Sequence, residues 1–173
     1  MISLLLILLP ILTGSLLLLL KGKVSIWLAL ISAMAELGIT IYALLNFDPL
    51  GGFQYVWDYA WIPDLGMAWS FGVDGVSMVM LLLTNILIPL IILSQIGRKI
   101  ENHHALVGLA LIMQGALIGV FTAMDTIVFY VFWELALIPV YFIAGLWGGQ
   151  ERIKATLKFF IYTLFGSLLM LAA

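Results

Sequence analysis

The sequence predicts an all-α polytopic membrane protein of about six transmembrane helices with its N-terminus outside. Three observations carry that expectation. Of the 173 residues, 65% are hydrophobic and only 9% charged, more apolar than a soluble domain uses. The apolar residues fall into long runs, and a helical crossing needs about 20 of them. All seven Lys and Arg fall on one side of the resulting zigzag, which is the positive-inside signature.

The first run, 2–20, contains Pro10. No basic residue precedes it and no small-residue cleavage site follows; Lys21 and Lys23 come after it instead. That pattern indicates a retained helix rather than a signal peptide. The second run is 25–45, the third 75–96, the fourth 105–121, the fifth 126–147 and the sixth 155–173. Pro89 and Pro139 interrupt the third and fifth, which membrane helices tolerate. The sixth stops with no polar flank, so a fragment of a longer protein is expected. The whole, 1–173, reads as a single membrane domain with an outer loop at 46–74.

The charges orient this arrangement. Lys21, Lys23, Arg98, Lys99, Arg152, Lys154 and Lys158 mark the inner side. Asp48, Asp58, Asp64, Asp74 and Asp125 lie in connections that contain no basic residue. The outer loop holds Tyr55, Trp57, Tyr59, Trp61 and Trp69. Such aromatics collect at the membrane–water boundary, and an interfacial belt is expected ahead of a ligand platform.

Two carboxyl groups interrupt the apolar runs. Glu134 stands near the middle of the fifth, where insertion of an acid costs roughly 2.5–3.5 kcal/mol. Its stripe at helical spacing reads Ile127, Tyr130, Glu134, Ile138, Tyr141. Pro139 has no N–H, so the Leu135 carbonyl loses its usual donor one residue from the carboxyl. A kinked, hydrated stretch suits a proton or cation path; a protonated strut between helices is the alternative. Glu36 lies on a stripe of Ser25, Ala29, Ser32, Thr40 and Ala43. Small and hydroxyl residues suit close helix contact, so polar glue is favoured there over a relay role.

Lys158, one turn inside the sixth run, either snorkels to the surface or turns inward as the carboxylate's charge partner. Gln114, Thr84 and Asn85 are expected to bond to neighbouring helices. His103 and His104 fall in a polar link with no third metal ligand in view. No phosphate loop, nucleophile elbow, nucleic-acid surface or haem-spaced His pair is present, and no cysteine. Redox or phosphate chemistry is therefore expected elsewhere.

The stretches "WIPDLGMAWSFGVDGVSMVMLLLT", "FYVFWELALIPVYFIAGLWGG" and "IKATLKFFIYTLFGSLLMLAA" resemble the antiporter-like subunits of respiratory NADH:quinone oxidoreductase (complex I), of the chain M or chain 4 type. The WELxLIPxY pattern followed by KFFxYTxxGS is the specific part. The resemblance implies the N-terminal portion of a bundle of about fourteen helices with inverted repeats. It implies proton translocation driven by electron transfer in other subunits, with Glu134 as the functional carboxylate. The family's lysine partner, on a broken seventh helix, has no counterpart here; Lys158 matches the lysine of the KFF motif. Cofactors are expected on partner subunits: NADH, flavin, iron–sulfur clusters and quinone, with none in this chain. Expected partners are other membrane subunits, further antiporter-like ones among them, and the lipid of the cell inner (plasma) membrane, with no nucleic acid. The multisubunit Na⁺/H⁺ antiporters share the pattern and give the alternative function. A non-transporting structural membrane fragment is the third.

Overall fold

The computed structural model describes residues 1–20, 24–62, 66–98 and 100–172. The expectations placed on Lys21, Lys23, Asp64, Lys99 and Ala173 fall outside the described residues. Six helices form: α1 (Ile2–Leu19), α2 (Val24–Leu45), α3 (Gly75–Ser94), α4 (His103–Thr122), α5 (Thr126–Trp147) and α6 (Arg152–Ala172). All six are long and apolar enough to cross a membrane. Helices α4 and α6 begin before their apolar runs, because helical hydrogen bonding continues through polar residues that hydropathy excludes. His103 and His104 therefore open α4 rather than lying in a link.

Helix α4 is the centre of the bundle, and glycine decides why. A Cβ at Gly108 would stand 2.9 Å from the Gly14 carbonyl oxygen, and one at Gly115 would stand 2.8 Å from that of Ile7. Helices α1 and α4 thus meet backbone to backbone, antiparallel. Without a hydrophobic drive between helices in lipid, such close contact supplies the attraction. Around α4 the apolar core forms two clusters. One holds Leu6, Ile7, Ala43, Phe71, Met78, Leu81, Ile118 and Phe132. The other holds Leu17, Ala29, Ala33, Ile88, Ile92, Val107 and Leu111.

The connection between α2 and α3 is no plain loop. Gln54–Ile62 (β1) and Met67–Val73 (β2) pair antiparallel, with Trp57 opposite Phe71 and Tyr59 opposite Trp69. Alternation of aromatics at Tyr55, Trp57, Tyr59 and Trp61 is a period-2 strand signal. The hairpin is fastened to the helix ends. Met124 N–H donates to the Ser70 carbonyl at 2.9 Å, and Ser3 Oγ donates to that of Tyr55 at 2.9 Å. Tyr55 has a φ of 54° beside a register shift, and its hydroxyl donates to the Ala43 carbonyl at 2.9 Å. Phe71 and Trp69 pack edge-on against Phe132, with centroids 5.6 and 6.3 Å away. Part of the expected aromatic belt is therefore a packed cap over α4 and α5.

Carboxylates begin two helices next to this cap. Asp125 accepts from the N–H groups of Ile127 and Val128 at the start of α5. Asp74 accepts from Ser77 N–H at 2.8 Å at the start of α3. Hydrogen bonding from Ser77 holds the Asp74 carboxyl below the usual carboxylate range. At the opposite end, Trp147 Nε1 donates to the Glu101 carbonyl at 3.0 Å, tying α5 to the α3–α4 connection.

Two outcomes follow from this packing. Gly108→Ala should destabilise the folded bundle by about 1–3 kcal/mol through overpacking. Gly38→Ala, with nothing within 4 Å of the added carbon, should be neutral or slightly stabilising. Unfolding of the two variants in detergent, side by side, checks the contrast. Asp74 has a folded pKa below its unfolded value. Its contribution is therefore complete above the unfolded value and lost as pH falls through the folded one. Protection of the Ser77 amide, its exchange rate relative to a free peptide at the same pH, should fall over that acid window in the parent, and Asp74→Asn should flatten the dependence.

Candidate functional site

Glu134 sits mid-way along α5 and is partly exposed. It lies about nine residues, or roughly 14 Å, from the Asp125 cap at 1.5 Å per residue. Among the described residues its hydrogen-bond partner is Ser167 of α6, whose Oγ donates to Glu134 Oε1. The same Oγ lies 2.9 Å from the Leu164 carbonyl. One hydroxyl hydrogen thus has two acceptors within reach. If Glu134 is ionised, Ser167 donates to it. If Glu134 carries a proton, it donates to Ser167 Oγ, and the serine hydrogen turns to the Leu164 carbonyl. Both protonation states keep a hydrogen bond.

Lys158 is not brought to Glu134. Thr156 and Ser167 are the buried residues of α6, eleven positions apart and so on one face at about 100° per residue. Lys158 stands nine positions from Ser167, about half a turn round the helix and roughly 14 Å along it. Its side chain is exposed on the opposite face. Among the described residues the ion pair formed is Lys154–Glu151 at 3.5 Å. Tyr141 stacks edge-on against Phe160, with centroids 5.3 Å apart, and helps hold α6 on α5.

Glu36 lies elsewhere, in the layer between the two apolar clusters, and is completely buried. Thr40, one turn on, donates to the Glu36 backbone carbonyl at 2.9 Å. Asn85 Nδ2 of α3 donates to Thr40 Oγ1 at 2.6 Å, and Gln114 Nε2 of α4 donates to Asn85 Oδ1 at 2.6 Å. On the other side, Ser32 Oγ and Thr13 Oγ1 lie 2.9 Å apart across α1 and α2. Asn85 and Gln114 thus bond between helices, whereas Thr84 donates to the Met80 carbonyl of its own helix at 2.9 Å. Among the described residues no group of three acidic or histidine side chains is placed to hold a metal ion.

A family model described as NADH:quinone oxidoreductase/Mrp antiporter, TM, matches residues 123–173, the stretch that carries both Glu134 and Ser167. Subunit M of the F(420)H(2) dehydrogenase of Methanosarcina mazei is 49% identical over 142 residues, covering 82% of this chain and 29% of that one. NADH-quinone oxidoreductase subunit M of Rhodobacter capsulatus is 41% identical over 148 residues, covering 85% and 28%. The chain belongs to the family of antiporter-like membrane subunits. A chain of respiratory complex I from Thermus thermophilus superposes with a TM-score of 0.86 at 37% identity, over 99% of this chain and 34% of that one. A chain of an archaeal membrane-bound sulfane sulfur reductase gives 0.85 at 18% identity and shows the fold alone. The chain spans about three tenths of the length of the curated relatives.

Within this antiporter-like fold, Ser167 is the residue that sequence reasoning passed over. Its signal was present, as the last letter of the KFFxYTxxGS pattern. Counting depth from the α5–α6 link would have set it level with Glu134. Ser167→Ala should leave the subunit assembled and shift the carboxyl vibration assigned to Glu134, because its hydroxyl partner is gone. Ser167→Thr should restore the parent frequency. Infrared difference spectra of the membrane complex, with Glu134→Gln to assign the band, read both.

Proposed function

We propose that this chain is part of a proton-translocating membrane subunit of a quinone-reducing respiratory oxidoreductase. The observation that carries the reading is the Glu134–Ser167–Leu164 arrangement, which accommodates both the acid and the carboxylate. Glu134 takes up a proton from one side and releases it to the other as charges in neighbouring subunits change with electron transfer. The Leu135 carbonyl, left without a helical donor by Pro139, is positioned to hold water beside it. Lys158 offers its charge to whatever packs on the open face of α6. Redox cofactors (NADH or another donor, flavin, iron–sulfur clusters and quinone) belong to partner subunits, as do further antiporter-like chains.

The membrane is the cell's inner (plasma) membrane, with the N-terminus outside. That orientation is supported by Asp48, Asp58, Asp74 and Asp125 at one end of the bundle and Arg98, Arg152 and Lys154 at the other. The matching family also takes in Mrp antiporters, so ion exchange without electrons is the rival reading. Co-purification with dehydrogenase chains favours the first; purification with small membrane partners alone favours the second. The 49% identity to an F(420)H(2) dehydrogenase subunit further supports F420H2 as an electron donor in place of NADH. Oxidation of each donor by isolated membranes separates those two.

Glu134→Gln in the complete subunit should abolish or sharply reduce quinone-coupled proton pumping while the complex still assembles. Glutamine can keep the Ser167 contact but cannot exchange a proton. Normal pumping by the assembled variant would overturn the role of Glu134. Loss of stability with pumping intact would instead leave it as a strut.

A further inference from the structure

The layer around Glu36 contains three buried oxygen acceptors without a partner: Glu36 Oε1, Glu36 Oε2 and Gln114 Oε1. Glu36 and Gln114 are each 0% exposed. Along every helix that meets here, the layer separates the two apolar clusters. Helix α1 passes from Leu6 and Ile7 through Thr13 to Leu17. Helix α2 passes from Ala33 through Glu36 and Thr40 to Ala43. Helix α3 passes from Leu81 through Asn85 to Ile88, and α4 from Leu111 through Gln114 to Ile118. Four helices therefore bring polar side chains to one level, between two apolar clusters of the bundle.

The hydrogen bonds in this layer run one way. Gln114 donates to Asn85, Asn85 to Thr40, and Thr40 to the Glu36 carbonyl. None of these bonds is directed at Gln114 Oε1 or at the carboxyl of Glu36, so the chain ends on unfilled acceptors there. Among the described residues no charged side chain faces them. Helices α1 and α3 carry no ionisable group, and α4 carries only His103 and His104 in its first turn. As the carboxylate, Glu36 leaves all three acceptors unmet; as the acid it can donate to Gln114 Oε1, which still leaves its own carbonyl oxygen without a donor. An unmet buried acceptor destabilises the fold, and at least one remains in either protonation state. A water molecule brings two hydrogens and is the usual partner of buried polar groups left over by the fold.

We propose that this layer is a built site for an internal water bridging Glu36 and Gln114, and that Glu36 exchanges its proton with that water. Asn85 and Gln114 act as positioning residues, because a side-chain amide holds its hydrogens too tightly to pass them on near neutral pH, and Thr40 does so because its hydroxyl hydrogen is held by the Glu36 carbonyl. The exchange is balanced: the Glu36 O–H bond breaks, its proton joins the water, and another water hydrogen returns to the carboxylate. The site does not use Glu134, which bonds to Ser167 on another helix pair, and it stands whether or not Glu134 pumps.

Infrared spectra of the membrane-embedded complex in H2O and D2O test this, comparing the parent with Glu36→Gln, Glu36→Asp, Gln114→Leu and Glu134→Gln. The expected result is a carboxylic-acid band that disappears in Glu36→Gln and moves to lower frequency in D2O within minutes. Gln114→Leu should slow that exchange at least tenfold, Glu36→Asp should retain an exchanging band, and Glu134→Gln should leave it unchanged. Should Glu36→Gln not assemble, Glu36→Asp and Gln114→Leu carry the comparison. A band that stays unexchanged in D2O, or exchanges equally fast in Gln114→Leu, overturns the water site and leaves a dry strut. A band that shifts when Na⁺ replaces K⁺ overturns it in favour of a bound cation.

Discussion

A polar side chain in the interior of an apolar helix bundle must find its partner within the bundle, in a side chain, a backbone group or an enclosed water, because lipid tails supply none. That requirement governs this chain more than any single apolar contact. Lipid tails compete with leucine on equal terms, so burying leucine against leucine does little to select one helix arrangement over another. The bonds from Gln114 to Asn85 and from Asn85 to Thr40 do select one. They fix α2, α3 and α4 at a single depth and rotation, since a displacement of one turn would leave each group unpaired. The Ser167–Glu134 contact does the same for α5 and α6.

Close backbone approach is the complement of that polar layer. Gly14, Gly108 and Gly115 let α1 and α4 meet without intervening side chains, which brings Thr13 within reach of Ser32 and completes the layer on the α1 side. Gly119 has the same use at the capped end. The Phe132 ring lies where a Cβ at Gly119 would stand, and that places α5 directly beneath the aromatic hairpin. The hairpin in turn lies over the ends of α1, α4 and α5 and sets their spacing. The two acids therefore occupy different settings in one architecture. Glu36 is enclosed by three helices, whereas Glu134 lies at the edge, between α5 and an α6 whose other face is open.

Much of this was legible in the chain itself. The apolar runs announced six helices because hydropathy over about 20 residues reports directly on transfer into lipid. Glu134 announced itself because an acid in such a run is costly. The hairpin was legible as well, in the alternation from Tyr55 to Trp61, but an interfacial belt and a strand draw on the same aromatic residues. The α4 and α6 starts were displaced because His103, Arg152 and Lys154 are helical without being apolar. The pairing of Asn85 with Thr40 was hidden, since nearly thirty residues separate α2 from α3 and leave their relative depth open.

Sequence by itself determined the number of crossings, the two interior acids and the family pattern around Glu134, because each follows from local composition and order along the chain. Tertiary structure alone decided that Ser167 meets Glu134, that Lys158 turns to the opposite face, and that Glu36 shares a buried layer with Gln114. Those outcomes depend on how helices rotate and slide against one another. Rotation and depth are set by glycine contacts and hydrogen bonds between residues distant in the chain, and no local pattern encodes them.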